Sequence, residues 1–397
     1  MTGDPSGRVK PAELFLQFLK LGLIAFGGPA AHAGLMEREI VNRKKWITQE
    51  MFLDFIGSVN LIPGPNSTQL TMLVGYRKGG FRGMMLSGMG FIIPAAVITG
   101  VLAWFYVNTG HIPAVESILF GLKPTLLAII AGAILKLGKK ALKNIWLGVL
   151  GAAVVVSVFA GLGEIIAILG AGALGMLAYT LHRLSGEKRA KSKKKQGRKK
   201  RDKGLFSVMP LLTVNAGLAA AAQVSTVKIF WIFFKIGAVL FGSGYLLVAY
   251  MDGELVDKLG WISREQLLDA IAIGQFTPGP ILSAATFVGY LLQGTTGAIV
   301  ATIAIFLPSV FFILLLYPVI PRLRRSVYTS AFLDSVNMAA VAVMLAVTIS
   351  MAVDIVIDWK STIILALALA AVFGMKKISS VWIITGGAIL GYLLQLI

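Results

Sequence analysis

Apolar residues fill this chain in runs as long as a bilayer is thick. A membrane-spanning helix needs about 20 such residues. Residues 84–106, 297–318 and 338–353 meet or approach that length, 363–373 is shorter, and 145–179 is long enough for two spans. Polar positions gather between the runs, and no hydrophilic stretch is long enough for a soluble domain. The pattern predicts an all-α polytopic integral membrane protein with about 10 to 13 membrane segments.

The pattern also occurs twice. Residues 18–65 align with 233–280 at a constant offset of 215, without a gap, and 17 of the 48 positions are identical. The identities include Lys20/Lys235, Gly22/Gly237, Phe26/Phe241, Gly27/Gly242, Glu39/Glu254, Trp46/Trp261, Glu50/Glu265 and Asp54/Asp269. Both copies end in Pro-Gly-Pro, and after a one-residue deletion the match runs on through Tyr76/Tyr290 to Pro94/Pro308. An internal repeat in a membrane chain points to a carrier whose site lies between the copies. The chain divides into an N-terminal repeat, 1–181, a basic linker, 182–204, and a C-terminal repeat, 205–397. The N-terminus imitates a signal peptide, with Arg8 and Lys10 before an apolar run and Ala31-His32-Ala33 resembling a cleavage site. The same run recurs at 233–249, where no signal peptide can act, so the segment belongs to the transporter body.

Charge adds orientation. The net charge is +19, and 183–203 alone holds 12 Lys/Arg against 2 Asp/Glu. That linker, with no interleaved aromatics, reads as a cytoplasmic loop touching anionic lipid headgroups rather than as a nucleic-acid site. Loops at 77–82 and 136–143 are basic and the one near 108–116 is nearly neutral. In the second half the order reverses: 291–296 carries no charge, 322–325 is basic and 354–358 is acidic. By the positive-inside rule the halves are inverted repeats. The segments 48–76 and 263–290 are helical patterns broken by Pro-Gly-Pro, each either one broken span or a re-entrant hairpin. Arg38, Arg43, Lys44 and Lys45 favour a hairpin in the first half, and Asp252, Glu254 and Asp257 favour its mirror image in the second.

Candidate chemistry follows the breaks. Non-helical backbone inside a bilayer is tolerated only where it is buried in protein or faces a wet cavity. A helix that restarts there offers free N–H groups and a dipole to an anion. The candidate substrate-binding residues are therefore Gly27, Gly28 and Pro29 with Gly242, Ser243 and Gly244 at the first break. At the second they are Asn60, Pro63, Gly64, Pro65, Asn66 and Ser67 with Gln275, Thr277, Pro278, Gly279, Pro280 and Ser283. Uncharged donors of this kind suit a tetrahedral oxyanion. Lys20 and Lys235 either attract the anion or snorkel to the interface. Glu39, Asp54, Glu254 and Asp269 are candidates for proton coupling, against the plainer reading that they cap and solvate helices. His32, with Leu247 as its repeat partner, reads as a hydrogen-bonded structural residue. No nucleophile–base set and no metal-ligand cluster is recognised, no cofactor is implied, and the absence of cysteine excludes thiol chemistry.

In combination these motifs resemble the chromate ion transporter family. Phe-Gly-Gly-Pro-Ala-Ala-His at 26–32, Met36, Glu39, Trp46, Pro63-Gly64-Pro65 and Pro94 match its N-terminal domain, and 274–280 matches its C-terminal one. The resemblance implies a chromate exporter that confers chromate resistance, with sulfate as the natural isostere. It implies a non-enzymatic multi-pass protein of the cell (inner) membrane, and leaves a homodimer open. Asn60 departs from the Gln expected by analogy with Gln275. Export also agrees with electrostatics. Moving one charge across 100 mV is worth about 2.3 kcal/mol, so a dianion leaving a negative-inside cell gains roughly 4.6 kcal/mol. The rival readings are a sulfate or other oxyanion transporter of the same fold and, in a different class, a membrane enzyme acting on lipid phosphates.

Overall fold

The computed structural model describes residues 7–26, 29–109, 113–192, 224–241, 244, 246–316, 326–375 and 380–396, and among them every regular element is helical. The first half contains α1 (Pro11–Ile24), α2 (Pro29–Met36) continuing into a π-helical turn (Glu37–Arg43), α3 (Gln49–Val59), α4 (Asn66–Thr109), α5 (Pro113–Ala141), α6 (Ile145–Phe159) and α7 (Glu164–Ser192). The second half repeats them as α8 (Thr226–Val239), α9 (Leu246–Met251) with a π-helical turn (Asp252–Lys258), α10 (Arg264–Phe276) and a short 3-10 turn (Ile281–Ser283) opening α11 (Ala284–Leu316). Then come α12 (Val327–Ile355), α13 (Trp359–Gly374) and α14 (Ser380–Gln395). Five helices are long and apolar enough to cross a membrane by length and composition: α4, α5, α7, α11 and α12.

The repeat is structural to the residue. Helices α1 and α8, and the two π-helical turns, coincide at the offset of 215. Their local causes recur too. Thr48 caps α3 by accepting from Met51 N–H, and Ser263 caps α10 by accepting from Gln266 N–H. Asn144 and Asp358 do the same for α6 and α13. Each satisfies a backbone donor that the helix start would otherwise leave unpaired. The turn after each π-helix needs a left-handed residue, supplied by Lys45 (φ 53°) in one copy and Gly260 (φ 57°) in the other.

The Pro-Gly-Pro segments are re-entrant hairpins. Gly80 (φ 60°, ψ −151°) folds α4 back on itself, giving arms 66–79 (α4a) and 81–109 (α4b). Gly75 then lies against Gly83, and Met72 against Gly88, a pairing that only antiparallel arms allow. The start of α1 is tied to the same end of the molecule by Val9 N–H on Lys78 O, and the π-turn is tied there by the Lys44–Glu13 ion pair. So α1–α2 and α3–α4a both enter and return on one face, and α4b is the first full crossing. Gly294 (φ 58°) folds α11 in the same way, with Gly289 against Gly297. The face carrying Arg38, Lys44, Arg77 and Lys136–Lys143 is basic. The face carrying the second hairpins, with Asp252, Asp257, Glu265 and Asp354, is acidic. The two halves are thus inverted, and α7 ends on the basic face while α8 begins on the acidic one.

The halves interlock through their last helices. Helix α14 packs on α5, and α7 on α12. A Cβ on Gly121 would sit 2.0 Å from Gly387 O and 2.8 Å from Gly391 Cα, and one on Gly175 would sit 1.8 Å from Ser335 Oγ. Glycine at these crossings lets helices approach closely where lipid gives no hydrophobic drive. The linker expected at 182–204 begins as a continuation of α7 to Ser192, and its remainder lies outside the described residues.

Candidate anion-binding site

Four chain breaks meet at the centre, and they are tied in pairs across the repeats. Gly64 N–H donates to Leu240 O at 2.6 Å, and Gly279 N–H donates to Ala25 O at 2.8 Å. Ala25 and Leu240 are repeat partners, so each Pro-Gly-Pro turn is clasped to the break at the end of the other half's first helix. Glycine is required at both turns. Gly64 has φ 126° and Gly279 φ 99°, and a Cβ there would lie 2.2 Å from Gln69 Nε2 or 2.9 Å from Ala95 Cβ.

A cavity of about 990 Å³ opens from these breaks to the basic face. Its inner end is formed by Phe26 and Pro29, by Asn60, Asn66 and Ser67, and by Phe241. Its outer wall includes Lys136 and Lys140 of α5 and Lys143 of the turn after it, with Asp334 and Asn337 of α12. Three lysines against one aspartate make the wall positive, and Lys143 alone is neutralised, by Asp334 at 2.7 Å. At the inner end α4a begins with Asn66. Its first N–H groups have no intrahelical acceptor, and Gln69 N–H is the first to close, onto Pro65 O. A cation-lined entrance therefore leads to the start of α4a, where Asn66 and Ser67 line the inner end and the first N–H groups are free of helical partners.

Buried polar atoms without partners gather at the same breaks. Of the seven such side-chain atoms among the described residues, four belong to Thr68, Gln69, Gln275 and Ser283. Gln275 Nε2 is a donor, and Thr68 and Ser283 hydroxyls can donate. A buried donor left unmade costs about 1–3 kcal/mol, so donors kept here suit a polar ligand more than a packing role.

The sequence candidates separate accordingly. Pro29, Asn60, Asn66 and Ser67 line the cavity. Asn60 caps the end of α3 and its Oδ1 accepts from Asn66 Nδ2 at 2.8 Å. Pro63, Gly64 and Pro65 are buried behind them, with Pro63 O accepting from Gln69 Nε2. Gln275, Thr277, Pro278, Gly279, Pro280 and Ser283 are buried at the second turn, where Thr277 Oγ1 donates to Ile273 O. Gly244 lies beside Ile281. Gly27, Gly28, Gly242 and Ser243 lie outside the described residues. Lys20 is exposed and Lys235 pairs with Glu254, so neither forms the cavity wall. The four acids also lie off that wall. Glu39 pairs with Arg43, Glu254 with Lys235 and Lys258, Asp269 accepts from Tyr106 at 2.9 Å, and Asp54 is exposed on α3. The lysines of α5 were legible only as a topology signal.

One contact corrects the sequence reading that no nucleophile meets a base. His32 Nδ1 lies 3.0 Å from Ser67 Oγ, and Nε2 lies 3.1 Å from Ala25 O. Positions 32 and 67 meet because α2 and α4a, on separate hairpins, lie side by side. A carbonyl only accepts, so Nε2 carries hydrogen and a neutral ring takes the Ser67 hydroxyl hydrogen on Nδ1. No carboxylate stands behind Nε2 to stabilise an imidazolium, as a hydrolytic triad requires. Ala25 O thus receives both His32 and Gly279 N–H, linking the cavity wall to the clasp.

The chain matches the chromate transporter family over residues 12–176 and again over 227–392. It belongs to the chromate transporter family. The two matched segments coincide with the two structural repeats. Family relatives include the chromate transport protein of Cupriavidus metallidurans, 31% identical over 383 residues, covering 96% of this chain and 92% of that protein. The chromate transport protein of Pseudomonas aeruginosa is 28% identical over 357 residues, 86% of this chain and 80% of that one. An uncharacterized transporter of Methanocaldococcus jannaschii is 29% identical over 391 residues, 96% and 94% of the two chains. No solved structure matches. The relatives are named as transporters.

Proposed function

We propose that this chromate transporter family protein exports chromate from the cytoplasm across the cell (inner) membrane by alternating access, with the basic face cytoplasmic. The observation that carries the reading is the positive cavity ending at the unpaired start of α4a, between turns that hold unpartnered buried donors. Lys136 and Lys140 concentrate the dianion at the entrance. The N–H groups of α4a, with Asn66 and Asn60, replace its hydration, and Gln275 and Ser283 offer donors from the other repeat. The dianion's roughly 4.6 kcal/mol gain per 100 mV on leaving a negative-inside cell lets membrane potential drive export. Sulfate has the same shape and charge and is expected to compete.

Lys136→Gln with Lys140→Gln tests the reading. Each lysine near a hydrated dianion contributes about 1 kcal/mol, so the double variant raises half-saturation for chromate roughly five- to thirtyfold. Unchanged half-saturation, in protein shown to be inserted, would remove the cavity from the transport path. Sulfate competition, read as inhibition of chromate flux, sets the selectivity in the same assay.

A further inference from the structure

The two halves share one sequence pattern but hold different conformations, and the difference lies at the faces. On the acidic face the second hairpins are packed shut. Helix α10 lies on α5, where Lys123 pairs with Glu265 at 3.2 Å, and Tyr106 of α4b donates to the buried Asp269. Helix α9 lies on α12, and Arg264 joins Asp252 and Asp257, each at 2.8 Å, to Asp354 at the end of α12. On the basic face the same elements stand apart, with the cavity between them. Repeat positions state what each closed contact would become. Helices α5 and α12 are both 29 residues long at an offset of 214, and the Gly121·Gly391 crossing has Ser335·Gly175 as its counterpart. Lys123 therefore corresponds to Asn337, and Asp354 to Lys140. At the offset of 215, Glu265 corresponds to Glu50, Arg264 to Gln49 and Asp252 to Glu37.

These counterparts are chemically fit to close. Gln49 Nε2 already donates to Glu37 Oε1 at 2.7 Å, as Arg264 does to Asp252. Where Asp354 stands on the acidic face the basic face has the cation Lys140, and the carboxylate of Glu37, held by Gln49, is the group placed to meet it. Asn337 and Lys140 line the open cavity, while Gln49 and Glu50 are exposed. We propose that the basic-face mouth closes when α2 and α3 dock on α5 and α12 as α9 and α10 now dock on α12 and α5, bringing Glu37 to Lys140 and Glu50 to Asn337. The acidic-face pairs Lys123–Glu265 and Arg264–Asp354 then part. This gate deepens the proposed alternating-access transport and rests on it. Inverted repeats exchange access by trading conformations, and here the exchange is assigned to named residues.

The chain has no cysteine, so introduced pairs report alone. A disulfide forms only when two Cα atoms come within about 7 Å. Glu50→Cys with Asn337→Cys reports the closed basic face, and Lys123→Cys with Glu265→Cys the closed acidic face. In membranes carrying the full chain, with chromate present, oxidation should link either pair. Linking should reduce chromate flux to background, and reductant should restore it to the pre-oxidation value of the same variant. The double pair should form one disulfide per molecule, because the two closures exclude each other. Flux with a Glu50→Cys/Asn337→Cys pair that never links overturns the gate and leaves the transport reading intact. Undiminished flux through a linked acidic-face pair also overturns it. Mutually exclusive linking without chromate flux supports the gate and removes chromate as the cargo.

Discussion

At the residue scale the structure depends on a few backbone groups that no substitute can replace. The clasp between repeats uses N–H groups of Gly64 and Gly279 held at positive φ. Alanine at either position meets about 1–2 kcal/mol of backbone strain before any clash is counted. Gly64→Ala and Gly279→Ala should each lower the unfolding midpoint in detergent by several degrees, and wild-type stability in both would show the clasp to be incidental. His32 is the other residue of this kind. Replacing it by Leu, the residue its repeat partner Leu247 already supplies, leaves the buried Ser67 without its ring partner and costs about 1–3 kcal/mol. The variant should lose stability and chromate affinity together. His32→Gln keeps hydrogen bonding and should recover part of both. The repeated glycines and prolines made the breaks legible from sequence. The serine–histidine contact was not legible, because it joins two hairpins 35 positions apart that only the fold places side by side.

Elements explain why helix counting alone misleads here. Helix α4 is 44 residues long, and Gly80 makes it two antiparallel arms rather than one span. The Pro-Gly-Pro segments left two alternatives open in the sequence, a broken span and a re-entrant hairpin. The structure resolves them as hairpins because the π-turn and Gly80 bring each segment back to its own face. This placement is testable by side. Cysteines at Lys10, Lys45 and Arg77 should all react with an impermeant thiol reagent from the same side of the membrane. Labelling of Arg77→Cys from the opposite side would make the segment a true span and dissolve the hairpin. Lys20 and Lys235 show the limit of position-by-position reading. Their repetition drew attention, yet Lys235 holds Glu254 while the cations of the cavity wall come from α5. Lys136 and Lys140 lie one turn apart on one helix face, a spacing that the sequence displayed but that served only to orient the loop.

The whole molecule is a pair of inverted halves, clasped at their breaks and interlocked by their last helices. Conserving both arrangements while the hairpins move is what alternating access demands: a rigid frame of α5–α7 with α12–α14, and hairpins that rock against it. In the proposed alternating-access cycle, the open mouth on the basic face and the sealed acidic face would be one end. Chromate accumulation in everted membrane vesicles expressing the chain, with and without a membrane potential, tests this most directly. Potential-dependent uptake into the everted vesicles, reduced by excess sulfate, is the predicted result. Inserted protein that moves neither anion in either condition would contradict it.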